Sequence, residues 1–173
     1  MPGELSWDHH IEDIPVAGLT VERTADSEEC QRLRAALDLL GVAELRARYQ
    51  ITPLSFGRYK LVGELAAVVD QSCVVTLEPV RSSLAESYTA TYWPPEAMPE
   101  PIKGQVALDA EPDPEPIVDG RIDVGRIVFE SLAAGIDPFP RVPDAVFEGP
   151  LSTPQAQRAD SPFAVLANLK DKS

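Results

Sequence analysis

The residue pattern predicts an α+β fold: an antiparallel β-meander of about four to five strands packed against an N-terminal helix and a C-terminal helix, with a Pro-rich acidic linker. Three observations carry this. Apolar residues recur at every second position from Ala43 to Trp93, in runs broken by short turn signals. Two flanking stretches, 26–41 and 123–138, carry the 3.6-residue period instead. The order strand, helix, meander, linker, helix does not alternate as a parallel sheet requires. With 173 residues and 44% hydrophobic positions, the chain has apolar material for one core.

In chain order, residues 1–15 show neither periodicity nor the basic and apolar regions of an export signal, and read as a flexible leader before a single domain over 16–173. After Gly18, Leu19, Val21 and Arg23 alternate with Thr20, Glu22 and Thr24, a short half-buried strand. The next helix has Asp26 as cap, Glu29 to complete a capping box and Gly41 as its stop. Cys30, Leu33, Leu37 and Leu40 form its apolar stripe.

The meander begins with Leu45, Ala47, Tyr49 and Ile51 on one face and Glu44, Arg46, Arg48 and Gln50 on the other. Pairing Leu54 with Arg58 across Ser55-Phe56-Gly57 brings Tyr59, Leu61, Leu65, Ala67 and Val69 to the same apolar side. Cys73, Val75 and Leu77 read as a third strand, and Leu84 to Trp93 as a fourth.

Residues 94–119 hold seven prolines and seven acidic residues against one lysine, Lys103, and read as an extended, mobile linker in which Gln105–Leu108 is the one stretch suited to pair with a sheet edge. Asp119-Gly120 is a turn, and Asp123 caps a second helix whose Val124, Ile127, Val128 and Leu132 share a side before Gly135 and Pro138 stop it. Pro138 to Pro143 is extended. Ser161 and Pro162 open a short terminal helix through Phe163, Leu166 and Leu169.

Most enzyme chemistries find no residues to carry them. The two histidines, His9 and His10, lie in the leader, so a Ser or Cys nucleophile has no neutral-pH base. Neither a nucleophile elbow nor a phosphate-cradling glycine loop is present. Cys30 and Cys73 stand singly on apolar faces and read as core thiols in a reducing compartment, without the paired spacing of a zinc site. Asp119, Asp123 and Glu130 are the one conceivable magnesium cluster, and so the basis for a metal-dependent ribonuclease. Turn-making and capping explain the two aspartates without metal, and Arg121 breaks the calcium-loop pattern. No cofactor, metal or small-molecule substrate is expected. No apolar run approaches the roughly 18 residues of a membrane span, so the expected location is the cytoplasm.

The net charge of −13 opposes broad binding to a polyanion. Its local exception is the polar side of the first hairpin, where Arg46, Arg48, Arg58 and Lys60 gather among Glu44 and Glu64. That stripe reads first as a solvated face, with Arg48 opposite Glu64, and second as an RNA contact that Arg81 would extend.

Three segments together resemble the YceD family of large ribosomal RNA subunit accumulation proteins. They are Val74 to Ser82, Asp119 to Val124 continuing into Glu130-Ser131-Leu132, and Asp137 to Pro140 with Ser161 to Lys170, the last being the most specific. Many members carry a Cys-x-x-Cys pair after the central strand; the matching positions here are Pro79 and Ser82, so any role inherited from the family must not depend on a metal held there. The resemblance implies a non-catalytic factor in the synthesis, processing or stability of large-subunit ribosomal RNA. For so acidic a chain, the partners expected are basic ribosomal proteins or the pre-ribosomal large subunit. The residues expected to make the contact are Arg81, Asp119, Asp123, Glu130, Phe139 and Phe163. For Phe139 and the terminal helix, anchoring onto the sheet is the favoured alternative to direct contact.

Overall fold

In the computed structural model, which describes residues 3–99 and 113–146, the strands are Asp8–His10 (β1), Leu19–Thr24 (β2), Gly41–Pro53 (β3), Tyr59–Ser72 (β4), Pro79–Trp93 (β5), Glu115–Pro116 (β6) and Arg121–Asp123 (β7). The helices are Ser27–Ala36 (α1) and Val124–Gly135 (α2). Strands β2 to β6 form one sheet in sequence order, antiparallel except for the short parallel pair β5–β6, and β1 pairs with β7 in a second, two-stranded sheet. Met1–Val142 is one compact unit and Pro143–Ser173 another; of the latter only residues 143–146 are described.

The long hairpin has the register its alternation predicts. Leu54 N–H donates to the Arg58 carbonyl at 2.7 Å, and Leu45 stands opposite Ala67, Ala47 opposite Leu65 and Ile51 opposite Leu61. All six are buried, because the two-residue side-chain period sends the odd positions of β4, and those of β3 from Leu45 on, to one face, a bulge at Val42–Glu44 shifting the alternation before that. That face receives Leu33 of α1 and Val124, Ile127, Val128 and Leu132 of α2 in a single core. Both helix caps form as well. Asp26 and Glu29 make the reciprocal capping box, and Asp123 accepts from the Arg126 N–H at 3.0 Å.

Four expectations are corrected. The leader is structural: Leu5, Trp7 and Ile14 are buried, and β1 pairs with β7. The arm is held from α1, where Glu29 accepts the Ser6 N–H and Arg32 donates to the Glu4 carbonyl. Helix α1 ends at Ala36, one turn before Gly41, because Asp38 adopts φ 52 and breaks the helix itself; Leu40 is consequently exposed.

Cys73 to Leu77 is not a strand. The chain turns there, with Cys73 N–H donating to Glu78 C=O and Leu77 N–H to Cys73 C=O, while Leu77 sits at φ 63. The following strand starts at Pro79, and its pairing with β4 runs without a bulge from Ser72–Pro79 to Tyr59–Tyr92. The ends of the 94–119 segment are ordered: Pro95–Ala97 is a 3-10 turn, β6 pairs with β5, and Ile117 is buried. Gln105–Leu108 and the expected terminal helix lie outside the described residues.

Candidate functional site

The even positions of β3 and β4 and the odd positions of β5 make the second face of the main sheet, and among the described residues nothing covers it. Cross-strand pairing lays its side chains in rows. Glu22, Arg48, Glu64 and Ser87 form one row; Thr24, Arg46, Ala66 and Ala85 form the next. Arg48 thus has a carboxylate strand neighbour on either side, and Arg46 pairs with Glu44. A hollow of about 690 Å³ lies over this face between Thr20, Gln50, Val62 and Thr89. Arg46, Arg48, Arg58 and Lys60 do share the face, but Arg58 is 3.8 Å from the centroid of the Trp93 ring in a cation–π stack. The expected stripe is therefore a mixture of signs with small residues between, not a track of free cations.

Of the six residues expected to contact a partner, Asp119 and Asp123 lie at the start of α2, Glu130 lies midway along it, and Arg81 and Phe139 lie toward its far end. Asp119 adopts φ 50 in the turn before β7, and Asp123 is committed to the helix cap. Tyr92 Oη donates to the Asp123 carbonyl at 2.6 Å, which ties this end to the sheet; burial, with Asp123 next, raises that hydroxyl well above its ordinary range. One turn along, Arg126 bonds Glu130 at 2.8 Å and Glu115 at 3.1 Å, and those two contacts raise its guanidinium above its usual value. Among the described residues no three His, Cys, Asp or Glu side chains gather in a metal-holding group. Asp119, Asp123 and Glu130 therefore do not form the acidic centre a metal-dependent nuclease requires.

At the other end, a 12-residue helix or about 18 Å away, Arg81 makes a two-pronged contact with Asp70 at 2.7 and 2.9 Å, which holds that carboxyl below its ordinary range. Phe139 is 68% exposed, on a segment tied to the β4–β5 turn by Val74 N–H to Pro140 C=O and by Gln71 Nε2 to Asp137 C=O. The centre of that turn is the buried Cys73 thiol, whose Sγ accepts the N–H groups of Val75, Thr76 and Val142, each at 3.4 Å. The Thr76 hydroxyl, ahead of those N–H groups, pulls the thiol down to about 6 against the effect of burial. Pro79 and Ser82, an odd and an even position of β5, point to opposite faces and cannot act as a ligand pair. Phe163 lies outside the described residues.

Sequence reasoning missed a groove. Alongside α2 a hollow of about 410 Å³ is lined by Ser87 to Ala90 of β5, by Asp113 and Glu115, and by Ile127, Glu130, Ser131 and Ala134. Glu86 approaches the end of α2 closely enough that a Cβ on Gly135 would stand 2.7 Å from its Cγ. Asp113, Glu115 and Glu130 thus line one hollow, Glu86 lies at its α2 end beside Gly135, and Glu115 and Glu130 already share the Arg126 guanidinium. The charge excess of the 113–119 stretch was visible beforehand; that α2 would lie beside β5 and concentrate that charge was not.

A family model described as "Large ribosomal RNA subunit accumulation protein YceD" matches residues 61–170, which span β4, β5, the linker, α2 and the terminal segment. No curated protein and no solved structure matches the chain. No helix among the described residues is long and apolar enough to cross a membrane.

Proposed function

This chain belongs to the YceD family, and from that premise we propose that it supports large-subunit ribosomal RNA accumulation as a non-catalytic docking protein in the cytoplasm, binding basic ribosomal proteins. The observation that carries the reading is where the acidity lies. A net charge of −13 steers cationic partners toward the chain, and Glu86, Asp113, Glu115 and Glu130 are spread along α2, with Arg126 bonded to Glu115 and Glu130. Two of the three carboxylates a nuclease would need have structural work: Asp123 caps α2 and Glu130 pairs with Arg126.

Direct RNA contact through Arg46, Arg48, Arg58 and Lys60 is the second reading, supported by their sharing an uncovered face. It ranks lower because Glu22, Glu44 and Glu64 interleave them and would repel a phosphate backbone.

The test is capture of purified large-subunit ribosomal proteins on the immobilised chain, first at low salt and then at about 0.5 M, where the screening length falls to roughly 4 Å. Retention of a defined basic protein at low salt and its release at high salt is the expected result. Retention of none, beside saturable binding of ribosomal RNA lost in Arg48→Glu, would replace this reading with the second one.

A further inference from the structure

We propose that the outer edge of β5 is a strand-addition site that takes an extended, Lys- and Arg-rich segment of a basic protein; this rests on the docking function above and specifies where and how the partner binds. Along its inner side β5 pairs with β4 from Pro79 to Tyr92. Along its outer side it pairs only at Tyr92 and Trp93, with β6. Among the described residues, the edge from Pro79 to Thr91 has no strand partner.

The backbone groups on this edge can be assigned. Trp93 C=O accepts the Ile117 N–H at 2.9 Å, so Trp93 turns its polar groups outward. Strand alternation then turns those of Ser83, Ala85, Ser87, Thr89 and Thr91 outward too, while the even residues bond to β4. Natural edges are commonly blunted by bulges, charges or cover. Here the β4–β5 register has no bulge, and the residues from Ser82 to Thr91 are small or hydroxylated apart from Leu84, Glu86 and Tyr88. Such an edge suits β-augmentation, in which main-chain bonds give affinity and alternate side chains give selectivity.

The choice of occupant follows from charge. One face of an added strand would lie beside α2, against Glu86, Asp113, Glu115 and Glu130, with Arg126 already held by two of them. The opposite face would meet Ser83, Ala85 and Ser87. Cationic side chains at alternate positions, with small residues between, match both faces, whereas a nucleic acid would meet the carboxylates.

The experiment follows amide exchange by NMR in the full chain, free and with a ten-residue peptide of alternating Lys and Thr; the same length of alternating Glu and Thr serves as control. In the free protein the amides of Ser83, Ala85, Ser87 and Thr89 should exchange freely while those of Leu84, Tyr88 and Ala90 are protected. The Lys-Thr peptide should slow the first set at least tenfold, and the Glu-Thr peptide should leave it unchanged. Glu130→Lys combined with Asp113→Lys should weaken peptide affinity about tenfold, and Thr89→Pro, which removes an outward N–H at a site where an edge strand tolerates proline, should weaken it similarly. Protection of the odd-numbered amides already in the free protein, or peptide binding that leaves their exchange unchanged, would overturn the proposal even if Thr89→Pro does not fold. Undiminished capture of ribosomal proteins by folded Thr89→Pro would remove the edge site and leave the docking function standing; no capture by the unaltered chain would remove both.

Discussion

Replacing Trp7 by alanine should cost a large part of the molecule's stability, although the residue stands only seven positions from the start of the sequence. Trp7 is 2% exposed and belongs to the core shared by both helices and the sheet. Its carbonyl accepts the N–H groups of Val124 at 3.0 Å and Gly125 at 3.1 Å, so the arm also satisfies donors at the start of α2. Truncating a buried Trp to Ala costs about 3–5 kcal/mol, set against a total stability of about 5–15 kcal/mol for a domain. With a urea dependence of about 2 kcal/mol per molar, the unfolding midpoint should fall by roughly 2 M. The assay is urea unfolding followed by circular dichroism, with Val16→Ala, at a 96% exposed site in the same arm, as a control that should not move. A Trp7→Ala loss below about 0.5 kcal/mol, the level of an ordinary surface substitution, would refute the assignment of this arm to the core.

Three further outcomes follow from the same contacts. His9 Nε2 lies 2.8 Å from Tyr49 Oη, and burial, with Arg23 next, lowers the imidazole below its ordinary 6.5. A depressed folded pKa leaves its stability contribution complete above about 6.5 and removes it as pH falls through the folded value; urea midpoints compared between pH 7.5 and 5 should show that loss, and His9→Gln should flatten the histidine part of the slope. Gly125→Ala should destabilise by about 1–3 kcal/mol despite alanine's better helix propensity, because a Cβ there would stand 2.5 Å from the Leu5 carbonyl oxygen; thermal melts that rise would contradict the close approach of arm and helix. Cys73→Ala should lower the urea midpoint by leaving the Val75, Thr76 and Val142 N–H groups without their acceptor, whereas Cys73→Ser should retain most of it; equal effects of the two would show that the sulfur acts by volume alone.

Where local rules decide the outcome, the fold was legible. The Asp26–Glu29 capping box needs only four residues to specify it, and both partners occupy their expected places. The β3–β4 register follows from alternation on both strands meeting a short turn, and the Asp123 cap and the Val124, Ile127, Val128, Leu132 side of α2 follow from a 3.6-residue period. The rest depends on distant partners. Strand β1 is three residues long, too short for a period, and its neighbours Leu5 and Trp7 are core residues only because α1 and α2 receive them. Cys73, Val75 and Leu77 imitate a strand by alternating, yet the thiol gathers the N–H groups of the next residues and closes a turn. Of the candidate site, the excess of acid was visible and its focus was not: Asp113 and Glu130 line one hollow, with Glu86 at Gly135, because α2 lies beside β5.

The central claim is that this chain serves large-subunit accumulation by presenting an acidic docking surface, and a sucrose-gradient profile of ribosomal subunits tests it most directly. Cells lacking the gene should show a specific deficit of large subunits that the unaltered gene restores and the Glu130→Lys, Asp113→Lys form does not. An unchanged profile in the cells lacking the gene, or full restoration by the charge-reversed form at equal protein level, would contradict it.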